Sequence, residues 1–489
     1  MVGRVFMALD AKRLLVIILF VSIFVMAAQE ITDPDFFWHL RTGQLIWESR
    51  SIPRQDPFSY TVQDRSWIAH EWLTETIFFA LYSLIGQRGL ILASAFLITC
   101  TFILVYLQCE GRPWLATFVI LLAALTSAIS WGVRPQMFSL FLSALTLYIL
   151  HKRRCLWLLP PLMALWVNLH GGYLLGLALF CPYIIGQAAT YLRERRRRNY
   201  GHLRQLSLVF LLSGAATLLN PHGWRILSYP FGTLGSQAMQ GYIAEWFSPD
   251  FHQARFQPLA LLILLALATL ALSKLPADLT DMLLLLPFSY AALRSARHVP
   301  LFAVVAAPII GKHLVPIWEG SRVQKRLSQK GQTRLNLRLC ALNWFLLLLI
   351  LCAGSFKAAL SLKENESLQR QTFPVAAVDY LEGEERGNIY NLYHWGGYLI
   401  WRLYPEWQVF IDGRADVYGD AFIGEYLEVY QVRQGWRDTL EKYEVDLVLI
   451  DRDSALATIL DNHSDWRKAY EDEVAVIFTR VGGAVAKAR

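Results

Sequence analysis

The chain is 489 residues long, 55% hydrophobic and only 17% charged, a balance that excludes an ordinary soluble enzyme and fits an integral membrane protein. Its formal net charge of +7 would suit nucleic acid, but the basic residues cluster beside apolar runs, at Lys152–Arg154, Arg193–Arg198 and Arg322–Lys330. That pattern anchors helix ends against anionic lipid and leaves no role for a nucleic-acid partner.

In chain order, apolar runs able to cross about 30 Å of hydrocarbon are centred near Val21, Ala95–Tyr106, Val119, Leu145, Met163, Leu177, Leu211, Leu264, Leu285, Val304 and Leu348, about eleven in all. The first run could be a signal peptide, but Met26 stands where a small residue would be wanted, so an uncleaved span is expected. Trp72–Gly86 is apolar but short, carries Glu75 and Thr76, and abuts Arg88. If it spanned, every later loop would change sides and Arg193–Arg198 would face outward. An amphipathic helix lying in the outer interface keeps the basic loops inside. The expected protein is therefore a multi-pass component of the cytoplasmic (inner) membrane, with a cytoplasmic N-terminus and a periplasmic or extracellular C-terminus. Cysteines lie in or beside apolar runs with no CxxC spacing, so neither a disulfide nor a zinc cluster is expected.

The expected organisation is a transmembrane part over 1–356 with a large first outer loop over 30–88, a polar linker over 357–372, and an extracytoplasmic α/β domain over 373–489. Within that last domain, Asn388–Asn391, Gln408–Ile411 and Asp446–Ile450 read as buried strands and Val474–Thr479 as an edge strand. Trp395–Leu403 and Phe422–Val432 read as helices.

Polar motifs beginning at Asp33, Asp35, Arg134, His170, His222 and Arg297 interrupt the hydrophobic bulk, and the topology puts them all on the outer side. Charged and imidazole groups are costly in lipid, so their convergence suggests a site. In the first outer loop, Pro34 favours helix entry and Asp33 is a good N-cap, which sets Asp35 and His39 one turn apart on one face. A carboxylate there could act as a general base, and the Asp and His pair could hold a divalent metal with His70 or Glu71. The alternative is helix capping with interfacial anchoring by Phe36, Phe37 and Trp38.

Arg134, Arg225 and Arg297 run against the positive-inside tendency. Arg134 and Arg297, with His298, suit an outward phosphate because a guanidinium can bind two oxygens; capping of span ends or pairing with a loop carboxylate is the alternative. His170, before Gly171 and Gly172, could contact a ligand or close a polar contact at a span end, and the structural role is favoured. Glu245 and Asp250 could supply a second carboxylate or a metal ligand. Asp412 and Arg414 follow an expected strand, where open α/β sheets bind ligands, or form a buried ion pair. Tyr398, Trp401 and Trp395 share a helical face and read as core. Walker, GxGxxG, GxSxG and HExxH patterns are absent from the sequence.

One span, a large outer loop opening on an Asp motif, many further spans and an outward C-terminal domain together resemble the C-type (GT-C) integral-membrane glycosyltransferases. The segments DPDFFWHLRTGQ, RPQMFSL, NLHGGYLLG, LLNPHGW, RHVPLFA, HWGGYLIW and FIDGRADVY resemble a bacterial branch grouped with that superfamily. The resemblance implies transfer of a sugar from a polyprenyl phosphate or diphosphate carrier to a glycan, lipid or protein acceptor. It also implies that an acidic residue of the first outer loop, Asp33 or Asp35, is catalytic; Asp35 is favoured because it faces His39. Arg134, Arg297, His298, His39 and His170 would then serve the donor, and His70, Glu71, Glu245, Asp412 and Arg414 the acceptor or sugar. A lipid-linked-sugar transporter and a non-catalytic scaffold are the readings from other classes.

Overall fold

The computed structural model describes residues 9–321, apart from 64, 110 and 195, and residues 337–482. The basic run Arg322–Lys330, Arg4 and Arg195 lie outside the described residues. The protein is a polytopic helical membrane protein with a small C-terminal α/β segment. It forms two compact units. One comprises Met1–Gln29, Ile91–Gly223 and Ala244–Leu362; the other comprises Glu30–Leu90, Trp224–Ile243 and Lys363–Arg489.

The first unit is helical because hydrocarbon offers no partner for backbone amides and a helix satisfies them internally. Each expected span centre falls within a helix. Among the described residues, six helices are long and apolar enough to cross a membrane: Trp72–Gln108, Pro113–Ser130, Tyr173–Glu194, Ala254–Leu272, Ala296–Glu319 and Arg338–Thr372. Ala11–Ala27, Gln136–Lys152 and Leu279–Arg294, at 17, 17 and 16 residues, are shorter. Hydroxyls within the apolar helices are satisfied locally: Thr99, Thr117 and Thr126 each donate to the carbonyl one turn back at 2.8 Å. Leu211, Leu264 and Leu348 are exposed on the helix surfaces, as a lipid-facing surface requires.

The Trp72–Gln108 helix breaks at Gly86, whose φ of 64° and ψ of −172° lie in a region essentially reserved for glycine. The apolar run that stops at Gly86 is therefore a helix in its own right, with its own axis. The polar stretch 357–372, read as a linker, instead continues the helix Leu337–Thr372.

In the second unit, the helix Asp35–Ser49 packs on the start of the Trp72–Gln108 helix at Gly43, where a Cβ would stand 2.0 Å from the Glu75 carbonyl oxygen. It meets the helix Gly396–Leu403 at Gly397, whose Cβ would stand 2.4 Å from the Pro34 carbonyl oxygen. Four strands, β1 (Ile389–Asn391), β2 (Leu447–Asp451), β3 (Trp466–Glu471) and β4 (Ala475–Arg480), form one sheet in the order β1-β2-β4-β3. β1 runs parallel to β2 with Tyr390 opposite Val448, and the other pairings are antiparallel.

Two sequence expectations fail here. Val474–Thr479 is not an edge strand: β4 lies between β2 and β3, and the edges are β1 and β3, the latter too polar to be read as a strand. Gln408–Ile411 is not a strand either. The Asn391 side chain accepts from Phe410 N at 2.9 Å and donates to the Ile411 carbonyl at 2.8 Å, occupying the backbone groups that a neighbouring strand would use. Val409 makes only an isolated bridge, to Ser59.

Candidate active site

The helix Asp35–Ser49 opens with an Asx turn in which Asp33 Oδ1 accepts from Asp35 N at 3.0 Å. Asp35 then begins the helix, half-buried, and its Oδ1 accepts from Trp38 Nε1 at 3.1 Å. A Cβ on Gly413 would lie 1.7 Å from that same oxygen, so residue 413 is held to glycine by the carboxylate beside it. Tyr393, whose hydroxyl donates to the Gly413 carbonyl at 3.1 Å, is kept protonated by burial first and then by the negative charge of Asp35.

One turn further on, His39 stands between two carboxylates. Its Nδ1 is 3.2 Å from Glu75 Oε1 and its Nε2 is 3.5 Å from Glu71 Oε2. All three residues are buried, and one ligand atom from each lies within 4.8 Å of the others. Glu75 Oε2 is buried without a hydrogen-bond partner among the described residues. A His and two carboxylates with a spare oxygen form a donor set suited to a divalent cation such as zinc or manganese.

Glu71 Oε1 also meets His70 Nε2 at 3.3 Å, and the His70 ring stacks on Tyr229 at 4.1 Å. Burial works against protonating His70, but the charges of Glu71 and then Asp416 outweigh it and raise its pKa. Burial raises the Asp416 carboxyl too, against the pull of His70 and Arg414.

Behind these groups lies a fully buried ion network. Arg414 Nε and Nη2 meet the Asp412 carboxylate at 2.8 and 2.6 Å, and Nη1 meets Asp56 Oδ1 at 2.7 Å. Tyr418 donates to Asp412 at 2.6 Å, and Ser59 and Phe58 backbone amides donate to Asp56 at 3.2 and 3.1 Å. The guanidinium carbon sits 4.7 Å from the Trp67 ring centroid and 4.9 Å from that of Phe58. Burial works against the charge on Arg414, but Asp412 and then Asp56 raise its pKa well above its ordinary value. Asp412 and Arg414 thus form the ion pair that the sequence offered as the alternative to ligand contact, and the pair ties the C-terminal segment to the loop around Asp56.

The cations Arg134 and Arg297 belong to the other unit. Arg134 ion-pairs with Glu245 through Nη1 and Oε1. Burial would raise the Glu245 carboxyl, yet Arg134 and then Arg297 hold it below its ordinary value of 4.5. Arg297 makes no ion pair among the described residues and packs its guanidinium 5.2 Å from the Trp246 ring centroid. His298 Nδ1 and Trp246 Nε1 are buried without hydrogen-bond partners among the described residues. His170 is built in structurally: its Nδ1 accepts from Gly172 N at 2.9 Å and lies 2.7 Å from Ser139 Oγ. Asn220 Nδ2 donates to the Val167 carbonyl at 3.0 Å and its Oδ1 accepts from His222 N at 2.9 Å, so the NPHG motif is a bonded turn.

The structure therefore brings Asp33, Asp35, His39, His70, Glu71, Asp412 and Arg414 into one unit, and Arg134, His170, Glu245, Arg297 and His298 into the other. Sequence reading missed Glu75, Asp56 and Trp246 as site residues. Glu75 carried a signal, a carboxylate inside an apolar run; Asp56 did not, since it is one of several loop acids.

In fold, the chain is similar to solved structures of an oligosaccharyltransferase and of ArnT. The chain is similar to the apo oligosaccharyltransferase of Archaeoglobus fulgidus, at TM-score 0.56 and 11% identity over 96% of this chain and 74% of that one. The same organism's AglB, in complex with an inhibitory peptide and a dolichol-phosphate, matches at 0.55 and 10% identity over 90% and 69%. ArnT from Cupriavidus metallidurans in the apo state matches at 0.52 and 12% identity over 94% and 97%. No protein-family model matches the chain, and no curated protein sequence does.

Two predictions follow from these charge pairs. Arg414→Met strands Asp412 and Asp56 in the interior and should cost about 3–5 kcal/mol; thermal unfolding of the full-length protein in detergent reads this, and an unchanged midpoint would refute the network's role. The lowered Glu245 carboxyl contributes stability that is present above pH 4.5 and is lost as pH falls through its lower folded value. Glu245→Gln should flatten that acid-side loss in a pH series of unfolding midpoints, and parallel curves for the two proteins would refute the assignment.

Proposed function

We propose that the protein is a glycosyltransferase that moves a sugar from a polyprenyl-phosphate carrier to an acceptor hydroxyl at the outer face of the cytoplasmic membrane. The observation that carries this reading is a half-buried carboxylate, Asp35, opening the first outer helix of a chain similar in fold to an oligosaccharyltransferase and to ArnT. AglB, one of the similar structures, is held with a dolichol-phosphate, which supports a lipid phosphate as the donor's carrier here.

In this reading, Asp35 accepts the proton of the acceptor hydroxyl as its oxygen bonds to the anomeric carbon. The bond from that carbon to the carrier phosphate breaks, with inversion, and the electron pair leaves with the phosphate. A phosphate leaving group needs charge stabilisation rather than a general acid, so one carboxylate suffices. Arg297, His298 Nδ1 and Trp246 Nε1 are the donors best suited to a lipid phosphate, because among the described residues none of them is hydrogen-bonded or ion-paired to a carboxylate. Arg134 is already bonded to Glu245, which fits a supporting part.

His39, Glu71 and Glu75 are the residues that would hold a divalent cation. Bound there, it would supply positive charge near Asp35 and give Glu75 Oε2 a partner. Metal analysis of the purified protein should find about one equivalent in wild type and a loss in Glu75→Gln; equal metal in both would remove the cation from the scheme.

The reading is tested by supplying radiolabelled polyprenyl-phosphate sugars and membrane extract to purified protein. Asp35→Asn should lower transfer about 100-fold to 10,000-fold with unfolding unchanged, while Arg297→Glu should weaken prenyl-phosphate binding. Turnover by Asp35→Asn at the wild-type rate would discard Asp35 as the base.

A further inference from the structure

A cavity of about 480 Å³ opens among the helices of the first unit, at their basic ends. Arg153 lines it just past the C-terminus of Gln136–Lys152, Arg193 near the end of Tyr173–Glu194, and His202 near the start of Arg197–Ala216. Its size lies within the roughly 300–1,000 Å³ typical of small-ligand sites. It is remote from the cations considered above: Arg134 precedes the Gln136–Lys152 helix and Arg153 follows it, and its 17 residues rise about 26 Å.

Charge in this cavity is unbalanced. The acid on its wall, Asp278, is already taken up by Lys312 Nζ at 2.8 Å. Arg153 makes no ion pair among the described residues. Arg193 has only a loose surface contact with Glu194, at 3.5 Å, and such contacts contribute little. Two guanidinium groups and an imidazole therefore face a polar opening, while Leu150 and Leu156 offer apolar wall beside them.

We propose that this cavity binds the phosphate group of an anionic amphiphile, with Arg153 and Arg193 as its cationic contacts and the leucines against its apolar part. Basic pockets between membrane helices take lipid phosphates for this reason: planar guanidinium groups match phosphate oxygens and the neighbouring helix faces accept chains. The close approach of Gly186 to Thr280, where a Cβ would stand 2.1 Å from Thr280 Oγ1, fixes the two helices that carry Arg193 and Asp278. This proposal does not depend on the transfer chemistry above.

Native mass spectrometry of the full-length, delipidated protein in detergent tests it, with phosphatidylglycerol, phosphatidylcholine and inorganic phosphate as probes. Phosphatidylglycerol should bind in preference to phosphatidylcholine, and the double variant Arg153→Gln, Arg193→Gln should weaken it about 30-fold, equivalent to ~1 kcal/mol for each arginine. The variant Arg154→Gln, Arg196→Gln, which removes basic residues outside the cavity lining, should bind as wild type does. Displacement of the lipid by millimolar inorganic phosphate would assign the same arginines to a soluble phosphate, whereas resistance assigns them to the lipid headgroup. Equal binding of the two lipids, wild-type binding by the cavity variant, or an equal loss in the control variant would overturn the proposal.

Discussion

The guanidinium of Arg414, held between Asp412 and Asp56, is the contact on which the polar unit depends. Asp412 and Arg414 are neighbours in the C-terminal segment, whereas Asp56 comes from the loop that follows the helix Asp35–Ser49. Removing any one of the three leaves charge in a place that water does not reach, which makes the network expensive to break rather than intrinsically strong. The segment 408–411 has no sheet neighbour. The loop over 56–61 satisfies that segment's backbone instead, through Phe58, Tyr60 and Thr61 bonds to Val409 and Phe410.

The same joint defines the surroundings of the candidate base. Gly413, between Asp412 and Arg414, lies against Asp35, and Tyr393 bonds the Gly413 carbonyl. A structural ion pair and a reactive carboxylate thus share one short turn. The His39, Glu71 and Glu75 cluster stands one helical turn beyond, so the charges that would serve chemistry and those that hold the fold occupy adjacent layers.

Much of the architecture was legible in the sequence because lipid imposes a one-dimensional rule. A run of apolar residues must become a helix wherever backbone amides have no water, and each expected span centre lies in one. The helix entry at Pro34 and Asp35 and the core roles of Trp395 and Tyr398 were readable from local spacing alone. The strands were less legible. β3 alternates poorly, and 408–411 looks like a strand while bonding to the Asn391 side chain.

Residue types and their order determined by themselves that this is a multi-span membrane protein with a polar C-terminal segment and an acidic motif after its first apolar run. Tertiary structure decided which charges meet. Glu75 became the partner of His39, and Arg134 became the partner of Glu245 rather than a bare cation. Asp412 and Arg414 became a lock closed by Asp56. Periodicity along a chain reports which face of an element is buried, but ion pairing depends on distances between residues as far apart in the chain as Asp56 and Arg414, and those exist only once the backbone has folded.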